Sequence, residues 1–129
     1  MRDIKSAFRL IRIHPQMCKV VVAEFTGEIF GLTEDVLCCY GALPFGWGGS
    51  PGHFCRSRDA ITKLHQLHGP SRPMWNSAFA YRSQMYIDDG LFIEINIGAR
   101  RQQTTEAWER ISKALLPNDA INEGKNAAE

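Results

Sequence analysis

Apolar residues recur along this chain in two styles, short β-branched runs and longer stretches with a helical period. Residues 19–25 (KVVVAEF), residues 28–32 after Thr26-Gly27, and residues 36–43 each predict a strand, joined by short turns. Ser50-Pro51 reads as an N-cap followed by proline at the first helical position, where its missing N–H costs nothing. A helix is predicted over about 51–68, with Phe54, Ala60, Ile61, Leu64 and Leu67 on the apolar side and Arg56, Asp59, Lys63 and Gln66 outward. Glycine, prolines and small polar residues make 69–77 an irregular connection. Residues 83–87 and 91–95 are two short apolar strands flanking Asp88-Asp89-Gly90, and Trp108, Ile111 and Leu115 predict a last helix that stops before Pro117. Hairpins with helices inserted between strand pairs favour an α+β fold, an antiparallel sheet covered on one face.

Composition narrows this picture. The chain has 129 residues, 44% of them hydrophobic, which suits one domain with a true core. No run of eighteen apolar residues and no signal-peptide pattern occur, so the expectation is an intracellular chain, cytoplasmic or nuclear, outside any membrane. A net charge of +1 argues against a dedicated basic nucleic-acid module, although Arg2, Lys5, Arg9 and Arg12 cluster early, with Arg56, Arg58 and Lys63 in the middle and Arg100 and Arg101 late. Each cluster suits a phosphate backbone or a solvated helix face equally. Cys18, Cys38, Cys39 and Cys55 form no C-x-x-C pair and are expected as buried or half-buried free thiols. His53, His65 and His68 lack a second ligand pair at metal spacing, so zinc is not expected.

Asp88 and Asp89 are the chemical anomaly. Asp-Gly between apolar runs is a plain hairpin signal. A second carboxylate beside it is different, because two such charges about 4 Å apart repel by about 4 kcal/mol at an intermediate dielectric. Magnesium relieves that cost, being a hard cation held through one or two carboxylates, waters and substrate phosphates.

Three segments carry a resemblance. DIKSAFR from Asp3 resembles motif A of reverse transcriptases, LPFGWGGSPGHF from Leu43 resembles motif B, and YIDD from Tyr86 resembles motif C, in the family's order. The likeness covers nearly the whole chain and looks closest to retrotransposon and retroviral enzymes. It implies an RNA-directed DNA polymerase palm, an antiparallel sheet with helices on one face and a motif C hairpin. The implied reaction is attack of a primer 3′-hydroxyl on the α-phosphate of a deoxynucleoside triphosphate, over an RNA or DNA template. Two magnesium ions, with manganese as a substitute, would sit on Asp3 and Asp88 with Asp89 beside them. By the same likeness, the amides of Ser6 and Ala7 face the triphosphate. Phe8 lies under the sugar and rejects a 2′-hydroxyl by collision. Phe45 stands where retroviral enzymes carry glutamine, and with Gly46 and Tyr86 it belongs to the substrate-binding set. Gly46, Gly48 and Gly49 let substrate pass near the main chain. INEGK from Ile121 resembles motif D, in which Lys125 would protonate the departing pyrophosphate.

The resemblance further implies a palm fragment spanning 1–129, motifs A to C with part of D. Most of the fingers, the thumb and a ribonuclease H part would be supplied by the rest of a polyprotein, and the activity would belong to that parent. Two other readings stay open. One is a viral-type RNA-dependent RNA polymerase, disfavoured by Phe8 and by YIDD in place of GDD. The other is a non-catalytic RNA-binding or structural remnant on the same sheet.

Overall fold

The structure, a computed structural model, describes residues 2–70 and 82–123. It is mixed α+β. A three-stranded antiparallel sheet has the order β1–β5–β4, formed by β1 (Arg2–Asp3), β5 (Asp89–Ile93) and β4 (Arg82–Tyr86). A separate hairpin pairs β2 (Val22–Phe25) with β3 (Val36–Cys39). The helices are the one-turn α1 (Pro15–Cys18), the long α2 (Ser50–His68) and α3 (Arg100–Leu115). No helix among the described residues is long and apolar enough to cross a membrane.

Side chains alternate across a strand, so the sheet has two different faces. Ser83, Met85, Gly90 and Phe92 point toward α2 and α3, where Phe54, Ile61, Trp108 and Ile111 complete the core. Arg2 shares that face and reaches Glu109 of α3 at 2.9 Å. Beyond β1 the strip Ala120–Asn122 continues the antiparallel pairing, with Lys5 N donating to the Ala120 carbonyl at 2.7 Å and Asn122 N to the Asp3 carbonyl at 3.0 Å. Helices therefore cover one face, as expected.

Several local expectations change. Residues 28–32 are not a strand: Gly27–Phe30 is a 3-10 turn. The Asp35 carboxylate captures the Gly27 amide at 3.3 Å, a Cβ on Gly27 would collide with the Glu34 backbone, and Gly31 at φ +69° reverses the chain. The N-cap of α2 is Gly49, one residue earlier than expected. Ser50 is instead wholly buried inside the first turn, its hydroxyl donating to the Pro44 carbonyl at 2.6 Å. On α2 the buried stripe is Phe54, Ile61 and His65, with Leu64 at its margin. Ala60 and Leu67 lie round the helix from that stripe and are exposed. Cys18 and Cys55 are half-buried, but Cys38 and Cys39 are exposed because the β2–β3 hairpin leaves them uncovered.

The hairpin turn also moves. Tyr86 pairs with Asp89, so the two turn residues are Ile87 and Asp88, while Asp89 and Gly90 belong to β5. Gly90 is needed inside the strand for space: an added Cβ would stand 3.0 Å from the Phe92 ring and 3.2 Å from that of Trp108. The Asp-Gly pair is thus not the turn that it resembles in sequence.

Candidate active site on the open sheet face

The register of the sheet places Asp3 directly opposite Asp89, and Asp89 opposite Tyr86, so these three residues lie in one row across the face that the helices leave open. Directly opposed residues of an antiparallel pair have Cβ atoms about 4.5–5.5 Å apart, and like charges so placed destabilise the sheet. Asp88 adjoins the row from the turn, its carbonyl accepting from Ile4 N at 3.0 Å. Asp3 is buried, 4% exposed, beneath the Ala120–Asn122 strip. Its Oδ2 accepts from the Asn122 side-chain amide at 2.8 Å, a bond between residues 119 positions apart. Asp88 and Asp89 are half-buried and Tyr86 is 76% exposed.

The backbone beside this row is strained. Among the described residues only Ser6 at φ +55° and Ile87 at φ +52° are left-handed without being glycine. The first follows Asp3 by three positions and the second immediately precedes Asp88. A β-branched residue in that region is a true outlier that costs about 1–3 kcal/mol, and such strain gathers at functional sites. Ile87 is held there by packing against the core. Ser6 opens a 3-10 turn, Ala7–Leu10, whose first amides have no acceptor within the turn itself. Ala7 is buried and Ser6 exposed.

Phe8 is half-buried, its ring centroid 6.1 Å from Phe54 of the core and 6.0 Å from Phe45. Phe45 is 88% exposed, and Gly46 follows at φ +89°, a conformation that requires glycine. Gly49 answers a different need, since its Cβ would meet the Trp47 ring at 2.8 Å. Trp47 stacks on the exposed His53 at 5.6 Å, whereas His65 is bonded within the core. Lys125 lies outside the described residues.

The sheet brings together Asp3, Asp88, Asp89 and Tyr86, while Phe8, Phe45 and Gly46 form a neighbouring group. The carboxylate oxygens of Asp3, Asp88 and Asp89 are donors of the kind that suits a hard divalent cation. Among the described residues, however, no group of three or more His, Cys, Asp or Glu side chains is gathered so as to hold a metal ion. Asn122 and Ile87 are the participants that sequence reasoning overlooks. Asn122 sits inside INEGK, so a signal for it existed beside Lys125, whereas nothing in the sequence marks Ile87 as left-handed. No protein-family model matches this chain, and no curated protein matches it at a significant level.

Proposed function

We propose that the chain is the palm part of an RNA-directed DNA polymerase, joining deoxynucleotides to a primer 3′-hydroxyl by two-metal nucleotidyl transfer. The observation that carries this reading is the register Asp3↔Asp89, with Asp88 adjoining, on the open face of a sheet whose other face is packed under helices. Opposed carboxylates have a standing repulsion, and a divalent cation is the partner that turns it into attraction. Bound magnesium supplies charge neutralisation at the attacking and leaving oxygens.

In this reading Asp3, Asp88 and Asp89 hold the cations, and Asn122 orients Asp3 through its 2.8 Å bond. The left-handed Ser6 turns the start of the 3-10 turn so that the amides of Ser6 and Ala7 meet the triphosphate, whose charge favours such donors. Phe8, braced by Phe54, presents its exposed edge to the sugar and excludes a 2′-hydroxyl. Phe45, Gly46 and Tyr86 flank the base and template, and Lys125 would supply a proton to pyrophosphate. Template, primer and the remaining polymerase parts complete the site.

A second reading is favoured by one observation. Asp3 Oδ2 is already engaged by Asn122 and no three-donor cluster is gathered among the described residues, as in a remnant that has lost catalysis. Thermal unfolding separates the two. In chelator, Asp89→Asn removes the cross-strand repulsion and raises stability by about 0.2–1 kcal/mol. Wild type then gains about 1 kcal/mol in tens of millimolar magnesium or manganese, the mutant little, and sodium at equal ionic strength has no such effect. A wild type indifferent to both divalent ions assigns the chain to the remnant reading.

A further inference from the structure

Beside the Phe8–Phe45 group, residues Ile11–Ile13 run antiparallel to Gly41–Leu43: Ile13 N donates to the Gly41 carbonyl at 3.2 Å and Leu43 N to that of Ile11 at 3.0 Å. Next to this pairing, Arg9, Arg12, Tyr40 and Phe45 line one hollow of about 430 Å³. Both arginines are exposed, and neither has a carboxylate within 4.0 Å among the described residues. Arg2, Arg58 and Arg100, by contrast, are each ion-paired. The ring of Tyr40 is half in solvent, 51% exposed, and that of Phe45 almost entirely so. Two exposed guanidiniums and two open rings around one hollow offer cationic donors and flat apolar faces to a ligand that brings anionic oxygens and a π-face to the same place.

A phosphate joined to a nucleobase has that chemistry. Guanidinium binds phosphate in a bidentate fork, and single-stranded nucleic acid is held by a cationic groove with aromatic platforms on which bases stack. Arginine also stacks on bases, so the hollow tolerates any sequence. We propose that this hollow binds a nucleotide unit of single-stranded nucleic acid, Arg9 and Arg12 taking its phosphate and Tyr40 or Phe45 its base. The choice of nucleic acid rests on the polymerase reading. The binding itself needs neither the aspartates nor a metal ion.

The test is anisotropy of a labelled oligothymidylate titrated with the full chain in chelator, thymidine 5′-monophosphate serving as competitor. Arg9→Gln and Arg12→Gln, both at exposed positions, should each weaken binding about tenfold with unchanged unfolding temperature. The pair should flatten the salt dependence by about 0.7 in slope for each phosphate that the arginines no longer neutralise. At least one of Tyr40→Ala and Phe45→Ala should weaken binding about fivefold or more. Competition by the monophosphate at equal affinity assigns the hollow to a free nucleotide, and failure to compete assigns it to the strand; either supports the nucleotide chemistry. No binding, or binding that Arg9→Gln/Arg12→Gln leaves unchanged in strength and salt slope, overturns the proposal. Because magnesium is excluded, that failure is distinct from a missing divalent-ion effect on unfolding, which overturns the catalytic reading alone.

Discussion

Gly90 is where one residue decides the most. It lies opposite Met85 on one side and Arg2 on the other, at the centre of the sheet, with the Phe92 and Trp108 rings against its Cα. Gly90→Ala adds a methyl at 3.0–3.2 Å from aromatic rings that are themselves packed in the core. Overpacking of this kind costs about 1–3 kcal/mol. Urea denaturation of the variant should show a lowered midpoint at unchanged slope. Equal stability would mean that the rings rotate away freely, and that the strand position of Asp89-Gly90 is not enforced by packing.

Among elements, one polar side chain bonds α2 to both β4 and α3. His65 is wholly buried, its Nδ1 2.8 Å from the Ser83 hydroxyl and its Nε2 2.9 Å from the Thr104 carbonyl. A carbonyl only accepts, so Nε2 carries the proton and Nδ1 accepts from Ser83. Behind Thr104, Glu94 accepts from the Thr104 hydroxyl at 3.2 Å and from Arg100 through both its oxygens, tying the end of the sheet to the first turn of α3. Burial pushes the His65 pKa below its ordinary value of 6.5, the bond to the Thr104 carbonyl opposing in part. The unfolded chain then takes up a proton more readily than the fold. Stability is complete above about pH 6.5 and falls as pH drops through the interval down to the depressed native pKa. Unfolding free energies should decline from pH 7.5 to pH 5.5 in wild type and much less in His65→Gln. Parallel declines in the two proteins would remove His65 as the cause.

At the scale of the molecule, stability is unevenly distributed. The β1–β5–β4 sheet is backed by helices, whereas the β2–β3 hairpin is two-stranded and leaves Val22, Phe25, Leu37 and Tyr40 exposed. An isolated two-stranded hairpin is marginal in water, and weakly packed units open first. Amide hydrogen exchange should therefore be faster throughout Val22–Phe25 and Val36–Cys39 than in Met85, Leu91 and Phe92. Equal protection would show that the hairpin is sealed by another surface, of this chain or a second one.

The two long helices were legible from local signals, because period, proline position and terminal residues act within a few positions of chain. Pro51 and Pro117 bracket structure as their chemistry requires, and Phe54 and Ile61 lie on the buried stripe that spacing assigns them. Asp3, Asp88 and Asp89 could be singled out from motif order, but their order says nothing about the pairing of Asp3 with Asp89. That pairing depends on where the hairpin turns, and the local preference of Asp-Gly for a turn yields to the packing of Trp108 and Phe92 on Gly90. Likewise His65 is buried although its own side chain is polar, and Asn122 meets Asp3 only because residues 120–122 return beside β1. Short-range propensities are worth tenths of a kcal/mol per residue, and closing a core is worth several, so residues far apart settle register, burial and the partners of the site.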